Sequence, residues 1–135
     1  MCAKRVIVVE HDDATIELLA ELLASEGLTP LCYPAWPVNL TDLENTQADL
    51  LILDLEPGDP YNALERLGEL RRHPVTRSLP VIVNSTDERL LAQLEAKLRD
   101  FGYAALSKPF DLNAFIALVG ASLDGKRGHA GRMVG

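Results

Sequence analysis

Acidic side chains cluster directly after one apolar run of the sequence and recur after another. The run RVIVV is followed at once by three acids and a histidine, namely Glu10, His11, Asp12 and Asp13. The run LLIL ends at Asp54, and Glu56 follows two residues later. Carboxylates this close together repel one another unless a positive charge lies among them. The first stretch therefore indicates a metal site, a weakened metal site or a solvated turn.

Hydroxyl and ammonium groups follow two further apolar runs. Ser85 and Thr86 come after VIVN, and Lys108 comes after YAALS. Carboxylates beside a lysine and a hydroxyl suit the handling of a phosphoryl group. Asp54 could attack phosphorus, while a cation such as Mg2+, the Lys108 ammonium and the Ser85 hydroxyl stabilise the charge on the phosphoryl oxygens. No Gly-rich phosphate loop is present in the sequence, so a nucleotide is not the expected direct substrate.

Alternating strands and helices must position these residues. Five apolar runs predict strands, and they are RVIVV, LTPLCY, ADLLILDLE, LPVIVNS and YAALS. Four of the stretches after them predict helices, and they are ATIELLAELLASEG, YNALERLGELRRH, DERLLAQLEAKLRDFG and DLNAFIALVGASL. The Pro-interrupted stretch PAWPVNLTDLENT is expected to hold a short helix at best. Asp13 and Asp111 are expected to cap the first and last helix. The pattern predicts an α/β fold with a doubly wound, five-stranded parallel sheet and helices on both faces, and the chemistry-bearing residues follow its strands.

The composition is that of one globular domain. The chain has 135 residues, 47% of them hydrophobic, which suffices for one core. Residues 1–123 are expected to form that domain and residues 124–135 a flexible basic tail. Two cysteines, Cys2 and Cys32, are too few for a disulfide framework. A net charge of -7 disfavours nucleic-acid binding, and no apolar run is long enough for a membrane span, so a cytoplasmic protein is expected.

Three motifs, in their order and spacing, resemble the receiver domain of two-component response regulators. LLILDLEPG resembles the segment that presents the phosphoacceptor aspartate, Asp54. LPVIVNST resembles the strand that ends in the switch hydroxyl, Ser85, and ALSKPFDL resembles the Lys-Pro turn that carries Lys108. The resemblance covers residues 4 to about 123. It implies a flavodoxin-like (βα)5 fold, dependence on Mg2+, and phosphotransfer from a sensor histidine kinase or a phosphotransfer protein.

The implied metal site departs from the family pattern at His11. The resemblance implies metal ligands at Glu10, Asp12, Asp54 and the backbone carbonyl of Glu56. His11 takes the place of the family's direct acidic ligand, and imidazole is a poor ligand for Mg2+. His11 can be a permissive substitution with weak Mg2+ binding, or a protonated side chain that replaces the ion. A transition-metal site, or a side chain turned into solvent, is the third alternative.

Three further departures concern the switch and the lifetime of the phosphate. Thr86 lies where the family usually has a very small residue, and its β-branched side chain is expected to narrow access to the phosphoryl site. The aromatic switch position falls on Ala105, and Tyr103 on the same strand face is at most a partial stand-in. Glu56 takes the place whose side chain influences hydrolysis in the family.

Three functions remain open. The first is a stand-alone response regulator that signals to a downstream protein target and, rather than being a turnover enzyme, carries out only slow autophosphorylation and autodephosphorylation. The second is a pseudo-receiver that acts as a binding or dimerisation module without phosphorylation. The third, a metal-dependent phosphatase with Glu56 as its second acid, is disfavoured because no cap domain is present. A homodimer through the fourth helix, fifth strand and fifth helix is possible, whereas neither nucleic acid nor a membrane is an expected partner.

Overall fold

The computed structural model describes residues 3–35 and 40–124, without the side chains of residues 40 and 41. The strands are β1 (Arg5–Val9), β2 (Thr29–Tyr33), β3 (Leu50–Asp54), β4 (Val81–Ser85) and β5 (Ala104–Ser107). The helices are α1 (Asp13–Ser25), α2 (Leu40–Thr46), α3 (Pro60–Arg72), α4 (Glu88–Phe101) and α5 (Leu112–Asp124). Cys2 and residues 125–135 of the predicted tail lie outside the described residues.

The five strands form one parallel sheet in the order β2-β1-β3-β4-β5. Asp54 of β3 pairs in register with Asn84 of β4, which pairs with Leu106 of β5. The predicted doubly wound, flavodoxin-like fold is thereby confirmed. Since the strand order reverses between β1 and β3, the carboxyl ends of these two strands form the crevice where such sheets bind ligands.

Two helical layers cover the sheet. Successive side chains of a strand point to opposite faces, so in β1, β3, β4 and β5 the even-numbered residues share one face and the odd-numbered residues the other. The even-numbered face packs against Leu19 and Leu23 of α1 and Phe115 of α5. The odd-numbered face packs against α2, α3 and α4, for example at Leu67 and Leu94. This coverage explains why the central strands read as continuous apolar runs.

Aspartates begin four of the helices. The four caps are Asp12, Asp59, Asp87 and Asp111. The prediction for Asp111 is confirmed, whereas the cap of α1 is Asp12 and not Asp13, which is the first helical residue. Asp12 keeps an extended backbone, and its Oδ2 accepts hydrogen bonds from the Thr15 N–H at 2.9 Å and the Thr15 hydroxyl at 2.6 Å.

None of the helices within residues 3–35 and 40–124 has the length and apolar character needed to span a membrane.

Candidate functional site

Two buried carboxylates lie at the carboxyl edge of the sheet. Glu10 follows β1 and Asp54 ends β3, and both are even-numbered, so both point to the face covered by α1 and α5. The Glu10 side chain is 1% exposed and that of Asp54 is 7% exposed. Charged carboxylates at this depth need positive partners or hydrogen-bond donors.

Lys108 provides a positive partner for both acids. Its Nζ donates to Glu10 Oε1 at 2.6 Å and to Asp54 Oδ1 at 2.8 Å. Its backbone N–H donates to the Ser85 carbonyl at 2.8 Å, which fixes the lysine beside the end of β4, and the following peptide bond to Pro109 is cis. Burial by itself lowers the pKa of Lys108, but the hydrogen bonds and charges of Asp54 and Glu10 outweigh it and hold the pKa above its ordinary value of 10.5.

His11 approaches the same acids from the solvent side. Its Nδ1 lies 3.2 Å from Asp54 Oδ2 and 3.6 Å from Glu10 Oε2. Although 61% of the His11 side chain is exposed, its Nδ1 edge faces the carboxylates. This geometry disfavours the alternative in which His11 turns into solvent.

Glu10, His11 and Asp54 form a group that could hold a metal ion, because one ligand atom from each lies within 4.8 Å of the others. Two carboxylates and an imidazole fit a divalent cation, although the imidazole nitrogen suits transition metals better than Mg2+. Asp12, also predicted as a ligand, lies outside this group. Its carboxylate binds the hydroxyl and then the N–H of Thr15, and these hydrogen bonds lower the pKa of Asp12.

The two predicted hydroxyl residues at the end of β4 differ in exposure. Ser85 is fully buried, and its Oγ accepts a hydrogen bond from the Asp87 N–H at 3.0 Å. Thr86 is exposed, as is Glu56 in the loop after Asp54. Ser85 follows the residue that pairs with Asp54, so its hydroxyl lies at the same edge of the sheet as the acids.

Asp87 ties the loops after β3 and β4 together, a feature that sequence reasoning missed. Its Oδ1 accepts from the Leu90 N–H at 3.0 Å and caps α4, while its Oδ2 accepts from the Gly58 N–H at 3.3 Å. Gly58 has a φ of 136°, a conformation that glycine adopts readily. The loops that follow β3 and β4 therefore share one carboxylate, that of Asp87.

Tyr103, considered above as a partial stand-in for the aromatic switch residue, lies inside the core. Tyr103 is 2% exposed and packs edge-to-face on Phe101 with ring centroids 5.6 Å apart. Burial raises the pKa of Tyr103, and its hydroxyl has no hydrogen-bond partner among residues 3–35 and 40–124. Ala105 is buried on the same face of the sheet.

Sequence reasoning placed Asp54, Lys108 and Ser85 at one edge of the sheet but missed two features there. One is the bond from Lys108 to Glu10, which joins residues 98 positions apart. The other is Asn84, the register partner of Asp54, which is 1% exposed. The strand alternation in VIVNS was the available signal, because it puts Asn84 on the same face as Asp54.

Many solved structures share this fold, and those described as response regulators are prominent among them. A response regulator receiver protein from Burkholderia phymatum is 28% identical, with a TM-score of 0.69 over 90% of this chain and 95% of that chain. The chemotaxis protein CheY4 of Vibrio cholerae is 16% identical, with a TM-score of 0.72 over 90% of this chain and 100% of that chain. No family model matches the sequence, and neither does any curated protein.

A similar unit also occurs within a longer chain. NtrX from Brucella abortus is 21% identical, with a TM-score of 0.73 over 91% of this chain but only 26% of that chain. The chain therefore combines a receiver-type fold with two acids and a lysine at the carboxyl edge of the sheet. The chain has the fold of response-regulator receiver domains, and the neighbours of 25% and 28% identity support two-component signalling as its functional class. Domains of this class are generally signalling modules rather than turnover enzymes.

Proposed function

We propose that this receiver domain accepts a phosphoryl group on Asp54 from a histidine kinase or phosphotransfer protein and signals through contacts with a downstream protein. The observation that carries the proposal is the bridge made by Lys108, whose Nζ lies 2.8 Å from Asp54 and 2.6 Å from Glu10. The bridge fixes a positive charge beside a nucleophilic carboxylate. Both lie where the strand order reverses, which is the usual ligand position in such sheets.

The chemistry is an in-line transfer to a carboxylate oxygen. An oxygen of Asp54 forms a bond to phosphorus, and the bond between phosphorus and the donor's histidine nitrogen breaks. The imidazole leaves with the electron pair and takes up a proton from solvent. Negative charge spreads over the three equatorial phosphoryl oxygens, where Lys108 and the Ser85 hydroxyl stabilise it. Thr86, which follows Ser85, is exposed, and its β-branched side chain is expected to narrow the donor's approach to the phosphoryl site.

A divalent cation held by Glu10, His11 and Asp54 would neutralise charge on the phosphoryl oxygens. Mg2+ is the proposed ion, bound weakly because an imidazole replaces an oxygen ligand. The backbone carbonyl of Glu56 remains a proposed ligand. Asp12 is less suited to this role, because its carboxylate already binds Thr15.

A second function, a binding or dimerisation module that works without phosphorylation, is supported by the same site. Lys108 and His11 both lie against Glu10 and Asp54, so the chain can neutralise its own carboxylates. Such a site would not need an ion to offset its negative charge. The two functions therefore differ in whether Asp54 reacts.

Phosphorylation of the full chain separates the two functions. The protein is incubated with Mg2+ and acetyl phosphate, and the mass of the intact chain is measured. The expected result is a mass increase of one phosphoryl group that Asp54→Asn abolishes. Asp59→Asn is the matched control, because it alters an acid in the following loop and keeps a capping side chain. A folded wild type that gains no phosphoryl group with Mg2+ or Mn2+, from acetyl phosphate or a histidine kinase, would overturn the phosphoacceptor function.

A further inference from the structure

Asn84 is a buried amide in the same row as the acids of the site. The last even-numbered side chains on this face of three adjacent strands are those of Glu10, Asp54 and Asn84. Asn84 lies between Asp54 and Leu106 in the register of the sheet. Deeper even-numbered positions of β1, β3 and β4 are all apolar. The site therefore has a third polar side chain beside its two acids.

The carboxamide of Asn84 makes no hydrogen bond within the described part of the chain. Its Oδ1 and Nδ2 have no hydrogen-bond partner among residues 3–35 and 40–124, although the residue is only 1% exposed. The neighbouring buried polar side chains, Glu10 and Ser85, both have partners. A buried amide without partners lowers stability, whereas an apolar side chain of similar size would raise it. Packing alone therefore does not explain an asparagine at this position.

Lys108 is held beside Ser85, the residue that follows Asn84 at the end of β4. Its backbone is bonded to Ser85 at the end of β4, and its ammonium ends on the acids of β3 and β1. The strand order β1-β3-β4-β5 therefore carries the Lys108 side chain across the end of β4. An ammonium has three N–H donors, and two of them bind Glu10 and Asp54. The third can serve an acceptor on β4.

We propose that Asn84 is a positioning residue for the phosphoryl transfer, and that its Oδ1 accepts the third N–H of Lys108 when Asp54 reacts. The inference rests on the proposed function. When an oxygen of Asp54 bonds to phosphorus, the carboxylate loses its charge and its ion pair with Lys108 weakens. An acceptor on the neighbouring strand then keeps the ammonium between β3 and β4. A carboxamide suits this role, because an uncharged acceptor does not compete with the phosphoryl oxygens for the ammonium.

The test compares Asn84→Val with Asn84→Thr in the full chain. Valine and threonine have the same shape, and only threonine keeps a polar acceptor on β4. Phosphorylation by acetyl phosphate is followed as a rate constant, and the thermal midpoint of each variant is measured beside it. The expected rate of Asn84→Val is about tenfold below the wild type, the effect of one lost hydrogen bond to a charged group. The Asn84→Thr rate is expected to recover most of that loss.

A structural role would give a different result. Because the valine variant removes an unpartnered amide, its thermal midpoint is expected to equal or exceed that of the threonine variant while its reaction is slower. Ile82→Val, two residues earlier on the same buried face, controls for lost volume and is expected to change the rate less than about twofold. A wild type that takes up no phosphoryl group would overturn the proposed function and this inference together. Equal rates in the two Asn84 variants would overturn this inference alone.

Discussion

Lys108 and His11 approach the same two carboxylates on different oxygens. Lys108 binds Glu10 Oε1 and Asp54 Oδ1, while the His11 Nδ1 lies 3.2 Å from Asp54 Oδ2 and 3.6 Å from Glu10 Oε2. A cation held by Glu10, His11 and Asp54 must share the second pair of oxygens with the imidazole. We therefore expect the affinity of this site for a cation to depend strongly on the side chain at position 11.

Replacing His11 with aspartate tests that dependence. His11→Asp is expected to tighten Mg2+ binding at least about tenfold, since one added carboxylate contact worth about 1.4 kcal/mol has that effect on a dissociation constant. Isothermal titration with Mg2+ measures the change. Asp12→Asn is the control and is expected to leave the affinity within about twofold, because Asp12 binds Thr15 and asparagine caps equally well. An unchanged affinity in His11→Asp would mean that the lost ligand is already replaced.

Removal of the Lys108 charge should destabilise the fold. Lys108→Met leaves the buried carboxylates of Glu10 and Asp54 without their ammonium, and breaking a buried pair in this way costs about 3 kcal/mol. Urea denaturation at neutral pH measures the loss. Lys4→Met removes an exposed lysine and is expected to change the free energy of unfolding by less than about 0.5 kcal/mol. Equal losses in the two variants would contradict a structural role for the bridge.

The same pair of proteins gives a pH prediction. The folded pKa of Lys108 is raised above its ordinary value of 10.5, so the lysine contributes its full stabilisation below that value and loses it as the pH rises through the folded pKa. The difference in unfolding free energy between wild type and Lys108→Met should therefore be constant from about pH 7 to 9 and shrink above about pH 10.5. A difference that grows with alkaline pH would contradict this sign.

Motifs located the reactive residues, but their partners depend on the folded chain. Asp54, Ser85 and Lys108 were predicted from short segments, because each follows an apolar run that ends at the same edge of the sheet. The bond from Lys108 to Glu10 was not predicted, since it depends on how far a lysine reaches across strands adjacent only in the folded sheet. Asn84 was overlooked because it ends an otherwise apolar run.

At the scale of single elements, the start of α4 carries a testable contact. Asp87 caps α4 through Leu90 and also accepts from Gly58 in the loop after β3. Asp87→Ala is expected to lower the free energy of unfolding by about 1–2 kcal/mol, the usual effect of losing such a cap. Asp87→Asn keeps both acceptor functions and should remain within about 0.5 kcal/mol of wild type in the same urea titration. If both variants lose stability equally, the charge of Asp87 and not its capping hydrogen bonds stabilises the fold.

Element types were predicted better than element ends. The β-branched run RVIVV predicted β1 with the bounds found, Arg5–Val9. The cap of α1 was misplaced by one residue, because two adjacent aspartates, Asp12 and Asp13, lie at the start of this helix and both residue types are common caps. The choice depends on Thr15, whose N–H and hydroxyl both reach Asp12. This pair of hydrogen bonds depends on the local backbone conformation, so the capping propensities of the residues do not predict it.

At the scale of the whole molecule, two apolar layers share a single sheet. Leu19 of α1 and Leu67 of α3 are both fully buried, one in each layer. Leu19→Ala and Leu67→Ala are each expected to lose about 2–5 kcal/mol in one cooperative transition, measured by urea denaturation with far-UV circular dichroism and hydrogen exchange. Leu18→Ala, at a position 41% exposed, should lose less than about 0.5 kcal/mol. A second transition in either core variant would contradict a shared core.

The fold class followed from the alternation of strands and helices, but the order of strands did not follow from that alone. Right-handed crossovers restrict how consecutive parallel strands connect, and they permit more than one order. The observed order, β2-β1-β3-β4-β5, places Asp54 between Glu10 and Asn84 at the edge of the sheet. That neighbourhood is a product of long-range pairing, so the part of the site that depends on it could not be predicted from local patterns.

The Ser85 hydroxyl has a consequence for how a change at Asp54 reaches α4. Its oxygen accepts from the Asp87 N–H at 3.0 Å, which uses a lone pair and leaves the hydroxyl proton available. When that proton is donated to a phosphoryl oxygen, the two hydrogen bonds form a chain in which each strengthens the other. The first turn of α4 would then respond to phosphorylation by a change in hydrogen-bond strength at Asp87, without any exchange of partners.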